Sequence, residues 1–123
     1  MLTPGYGHFH TLSGAKILGS VSIDFRLARE SVAVDEVPGS TEGVTNIVVD
    51  HKGVESHGSN IIYSEDGPTR PFATDANKFA LFGAAAAAWI VELEEAPDVV
   101  HLHDWHAAFY LLMRHYADHY EAL

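Results

Sequence analysis

A helical stripe set between two β-branched runs constrains this chain more than any other feature. Phe79, Phe82, Ala86, Trp89, Ile90 and Leu93 recur at three- and four-residue spacings and make one apolar face. Thr74 or Asp75 can cap the start, and Pro97 stops the run. Before it lies Val44 to Asp50, with Ile47-Val48-Val49; after it comes Pro97-Asp98-Val99-Val100. A helix from Asp75 to Leu93 between two strands is a crossover. It makes the last strand parallel to an earlier one and the class α/β.

The remaining segments fit around that unit. Met1 to Thr3 reads as the tail of a strand cut off by Pro4-Gly5. From Ile17 to Arg29, Val21, Ile23, Phe25 and Leu27 alternate with Ser22, Asp24, Arg26 and Ala28, the period of a half-buried strand. Val32, Val34 and Val37 alternate again after Ala28-Arg29-Glu30, so a hairpin is expected. His51 to Asn60 and Ser64 to Phe72 read as loops around a short apolar patch, Ile61-Ile62-Tyr63. A second helix is expected from about Trp105 to Tyr120. Its inner stripe would be Ala108, Leu111, Leu112 and His115 or Tyr116, with Arg114 and Asp118 paired at i,i+4.

Composition removes several function classes. Seven basic against seventeen acidic residues give a formal charge of −10, which argues against nucleic acid or an anionic membrane as partner. Cysteine is absent, so disulfides and thiolate metal sites are excluded. No run reaches the length of a membrane span, and the N-terminus lacks the basic and apolar regions of a signal peptide. A cytoplasmic protein with a neutral or small-molecule ligand is expected.

Five of the nine histidines lie between His101 and His119. The densest stretch, His101-Leu102-His103-Asp104-Trp105-His106, follows the Val99-Val100 run directly. A parallel strand that ends in polar residues marks the edge where open α/β sheets place ligands. Along a strand His101 and His103 would share a face, and His106 would fall in the first helical turn, where the neutral imidazole is favoured. Several readings stand together at this level. Asp104 is a sugar ligand or only a helix cap. His101 is a ligand or a hydrogen-bonded core residue, and Trp105 is a brace. His101, His103 and His106 with Asp104 could hold zinc, and His115 with His119 could do so at i,i+4.

The motifs themselves carry more. Pro97 to Ala108 closely resembles the PDVVHxHDWHxA segment of bacterial glycogen synthases and plant starch synthases. Thr74 to Phe82 is similar to that family's DNAxRFALF helix start, with Lys78 in place of arginine. Tyr63 to Gly67 resembles its YGxxG-like loop, Gly43 to Asp50 the strand before that loop, and Met1 to Tyr6 its LPxY strand end. The likeness covers residues 44 to 114; the first forty are compatible in layout.

The resemblance implies a Rossmann-like three-layer domain with a β-hairpin or meander insertion, an incomplete half of a GT-B fold. It implies glucosyl transfer with retention, from ADP-glucose or UDP-glucose (ADP-glucose favoured) to the non-reducing end of an α-1,4-glucan, without metal or cofactor. Carried over by motif, Asp104 and His106 are the catalytic contacts to glucose, and Tyr63 and His103 bind substrate. The family's Lys-x-Gly-Gly donor loop and its second domain have no counterpart in these residues. Residues 1–123 are therefore expected to be a fragment of the N-terminal catalytic domain, inactive alone. Its exposed sheet edges could form a homo-oligomer. The alternatives are a non-catalytic glucan-binding relative and a histidine-rich metal-binding α/β domain.

Overall fold

The computed structural model describes residues 1–56, 61–117 and Leu123. Among these residues four strands and three α-helices follow in the order β1 (Leu2–Pro4), β2 (Lys16–Phe25), β3 (Ala28–Val37), β4 (Asn46–Asp50), α1 (Ala73–Glu92), α2 (Asp104–Ala107) and α3 (Phe109–Tyr116). The sheet order is β1-β4-β3-β2, with β1 parallel to β4 and the other neighbours antiparallel. The fold is mixed α/β, as expected.

The hairpin forms because its apolar phase matches across the pair. Val21 sits opposite Val32, and both are buried with Ile23 and Val34 on the face that meets α1. The turn comes earlier than the alternation predicts. Strand β2 ends at Phe25, and Arg26 takes φ 58°, so Arg26-Leu27 makes a two-residue connection. Leu27 consequently sits at the tip, fully exposed, instead of joining the inner face. In β4, Val48 and Val49 point to opposite faces and both are buried, so the sheet is covered on both sides at that strand.

Helix α1 is the spine of the core. Phe79, Leu81, Phe82 and every residue from Gly83 to Ala88 are buried, because the small side chains let the sheet and α3 approach from different directions. Its predicted caps are not its caps. Helix α1 starts one residue earlier, after Phe72 in a left-handed conformation (φ 62°). The capping carboxylate comes from the preceding loop: Asp66 accepts from Thr74 N at 2.8 Å and from Thr74 Oγ1 at 2.6 Å. Leu93 closes the end and is exposed.

Two expectations for the C-terminal part are corrected. Residues 97–103 form no strand: Val99 is 79% and Val100 39% exposed. A strand needs a ladder partner for its backbone groups, and among the described residues β1 pairs with β4 alone. The second helix is also two helices, broken at Ala108. Its inner side is Tyr110, Met113 and Ala117, whereas Leu111, Leu112 and Tyr116 are exposed. The Arg114–Asp118 pair, His119 and part of the loop through Asn60 lie outside the described residues.

Candidate active site

The site is built where the loop before α1 meets α2. Tyr63 Oη and His106 Nε2 are 2.7 Å apart. Around this pair the rings are packed edge to face: Phe79 lies 4.5 Å from the His106 ring and 5.1 Å from Trp105, at 79° and 82°. Trp105 in turn stacks on His106 at 4.7 Å and lies parallel to Tyr63 at 6.5 Å. Phe79 belongs to the buried stripe of α1, so the helix that organises the core also forms the floor of the site.

A buried ion pair fixes the Tyr63 side. Asp75 and Lys78, one turn apart on α1, are almost wholly inaccessible, and Lys78 Nζ is 3.2 Å from Asp75 Oδ1. Lys78 also donates to Ile62 O at 2.7 Å. Asp75 accepts from Ser64 N at 3.0 and 3.1 Å. The two charges therefore hold the backbone on both sides of Tyr63, and those hydrogen bonds offset part of their desolvation. The phenol of Tyr6 is pushed up by burial, with Tyr63 and the Asp75 carboxylate adding to the effect.

Asp104 occupies an unusual backbone position. Its φ is 60°, a region that non-glycine residues seldom enter and that costs on the order of 1 kcal/mol. Its Oδ1 accepts from the adjacent Trp105 N at 2.6 Å. Its Oδ2 lies 3.9 Å from His106 Nδ1, and the side chain is two-thirds exposed. Asp104 therefore does not cap α2 in the expected sense, and much of its carboxylate faces outward. The histidine stretch divides as well. His101 and His103 stack on each other at 5.1 Å, and both are exposed, so His101 is not a core residue. Among the described residues no three His, Asp or Glu side chains are grouped as a metal site would need them.

Of the four candidate site residues, three converge: Tyr63, Asp104 and His106. His103 lines the same groove as Tyr63 and His106 without bonding to either. The Asp75–Lys78 clamp was not anticipated. Its signal was two opposite charges three residues apart beside the apolar stripe of α1, and Phe79 carried the same signal as part of that stripe.

This arrangement is a cluster of aromatic rings where the loop before α1 meets α2, with a tyrosine–histidine hydrogen bond and one carboxylate facing out. Residues 1–123 match the starch synthase catalytic domain family along their whole length, and the chain belongs to that family. It is 32% identical over 107 residues to a glycogen synthase of Chlamydia pneumoniae, covering 86% of this chain and 20% of that protein. A glycogen synthase of Variovorax paradoxus is 34% identical over 95 residues, 76% of this chain and 18% of the relative. One from Chlamydia abortus is 41% identical over 66 residues, 53% of this chain and 12% of the relative. The chain thus spans about a fifth of the length of the curated relatives it matches. No solved structure matches it.

Proposed function

We propose that these residues are part of the N-terminal catalytic domain of a glycogen or starch synthase-type glucosyltransferase with a GT-B fold, acting in the cytoplasm. The parent transfers glucose from a nucleotide-glucose, ADP-glucose in our reading, to the non-reducing end of an α-1,4-glucan. The observation that carries this is the Tyr63–His106 hydrogen bond beside the outward-facing Asp104 carboxylate. Those groups suit a polyol: the carboxylate accepts sugar hydroxyls, and the exposed faces of Tyr63 and Trp105 suit a pyranose ring.

In this reading Asp104 and His106 contact the glucose being transferred. Tyr63 holds the His106 ring and borders the acceptor side with His103. His106 shares its Nε2 with the phenol. Its Nδ1, turned toward Asp104, is the atom left to meet a charge that develops on the sugar. The donor nucleotide is bound by parts of the parent beyond these residues, so the 123-residue chain by itself does not turn over. In the parent, Asp104→Asn and His106→Ala each lower transfer about a hundredfold or more, as loss of one charge-stabilising group does elsewhere. Near-normal rates in both variants would sink the assignment.

A second reading has one observation in its favour. Tyr63 and Trp105 present nearly parallel rings (13°) that are partly exposed, which suits a glucan-binding module without catalysis. Titration with maltooligosaccharides in the absence of nucleotide-glucose, followed by a transfer assay on the parent, separates the two.

A further inference from the structure

Strand β2 is the edge of the sheet remote from β1, and among the described residues its outer side has no ladder partner. Edge strands are ordinarily blunted by lysine, proline or a bulge. The bulge of β2 falls between Ile17 and Gly19. Residues 20–24, Ser-Val-Ser-Ile-Asp, run regularly beyond it and hold neither lysine nor proline. Phe25 and Ala28 close the two-residue turn as a hydrogen-bonded pair, and such pairs alternate along an antiparallel ladder. Ser20, Ser22 and Asp24 therefore turn their N–H and C=O groups to the open edge. Val21 and Ile23 are buried toward α1, whereas Ser20, Ser22 and Asp24 lie exposed on the other face. Helix α1 leaves this edge open: a hollow of about 290 Å³ lies beside it, bordered by Ser22, Ile23 and Asp24 of β2 and by Ala88, Val91 and Glu92 of α1.

We infer that β2 pairs with β2 of a second copy of this chain, antiparallel about a two-fold axis at Ser22, so that the two sheets join into one. The register follows from the residues. Ser22 faces Ser22 of the second copy, and Ser20 faces its Asp24, a hydroxyl against a carboxylate that accepts from it. All three outward residues are used, and the pairing stops short of the bulge. An axis at Ser20 would set Ser22 against Leu18, within the bulge. On the α1 side Val21 meets Ile23 of the second copy, a β-branched cross-strand pair. No like charges meet. Arg29, on β3, stands 4.0 Å behind Asp24, and its Nε donates to Ser22 Oγ at 2.9 Å, so the guanidinium leans toward the axis. The formal charge of −10 opposes self-association, but the hairpin carries little of it: Lys16, Arg26 and Arg29 stand against Asp24, Glu30, Asp35 and Glu36. Two copies are therefore least repelled where their hairpins approach. A two-fold contact needs a surface that matches itself, and this register supplies one. The pairing is independent of the sugar site and of the transfer reading.

The test follows the 123-residue chain by NMR diffusion and amide hydrogen exchange, up to about 1 mM protein in about 0.15 M salt, where charge is screened beyond ~8 Å. A monomer–dimer equilibrium is expected. Exchange at Ser20, Ser22 and Asp24 slows as concentration rises, because these amides gain acceptors only in the dimer. Ser22→Lys sets two lysines opposite each other and weakens association at least about tenfold, whereas Ser20→Lys sets a lysine opposite Asp24 and tightens it about threefold or more. Both positions are exposed, so both variants keep the melting temperature of the unmodified chain at low concentration. A chain that stays monomeric at the top of the range overturns the proposal, as does a dimer that Ser22→Lys leaves intact. Weakening by Ser20→Lys overturns the register, since it places the axis at Ser20. The exchange measurement needs no variant: slowing with concentration at other amides and not at these three also overturns it.

Discussion

The phenolic oxygen of Tyr63 meets Nε2 of His106 at 2.7 Å, joining a loop before α1 to α2 across 43 positions. Tyr63→Phe keeps the ring beside Trp105 and removes only this bond. One hydrogen bond at a half-exposed site is worth about 1 kcal/mol, so urea unfolding of Tyr63→Phe is expected to show a loss of that order. A change in unfolding slope is not expected, because the denatured state is untouched.

Lys78 and Asp75 are a buried pair that also satisfies Ile62 O and Ser64 N. Removing one member leaves the other charge buried, which costs about 3–5 kcal/mol. Lys78→Met is therefore expected to destabilise strongly, as read by denaturant midpoint. It is also expected to speed hydrogen exchange at Ser64 N ahead of global unfolding, because the loop loses the group that holds Ile62.

Gly83 lies where α1 and α3 cross. A Cβ there would stand 2.7 Å from Phe109 Cβ and 3.0 Å from both Phe109 C and Tyr110 N. Two of those neighbours are backbone and cannot swing aside. Gly83→Ala gains about 1 kcal/mol of helix propensity, and overpacking of this kind costs about 1–3 kcal/mol. Net destabilisation is expected. Gly67→Ala, with nothing within 4 Å, serves as the control and is expected to be neutral or slightly stabilising.

Two carboxylates are expected to respond to pH with opposite signs. Burial pushes Asp35 up, the Asp50 carboxylate adds to it, and His10 partly offsets it. The native state then binds that proton more tightly than the unfolded chain, so ionised Asp35 is a cost above its raised pKa that vanishes as pH falls through it. Asp66 is held low, first by the Thr74 hydroxyl and then by the Thr74 N–H. Its contribution is present above the unfolded value and is lost as pH falls through the lowered one. At neutral pH, Asp35→Asn should raise the melting temperature and Asp66→Ala should lower it. The Asp35 difference should shrink as pH falls through its raised pKa to the ordinary carboxylate value, about pH 4, and the Asp66 difference as pH falls below that value.

Local patterns settled much of this protein. The period-two alternation in Val21, Ile23, Val32 and Val34 and the stripe from Phe79 to Ile90 reported a half-buried hairpin and a core helix, because one-sided burial writes its period into the chain. The motif around Asp104 and His106, with Tyr63 upstream, named three candidate residues that the fold brings close together. Tertiary structure alone decided the rest. Asp66 rather than Thr74 or Asp75 caps α1, because a loop carboxylate reaches Thr74 and frees Asp75 for the clamp. Tyr110 rather than Leu111 faces inward, because α3 packs on α1 at Gly83 through Phe109 and Tyr110. Val99 and Val100 have the composition of a buried strand yet lie exposed, since burial of a strand depends on a neighbour and is not a property of its own residues.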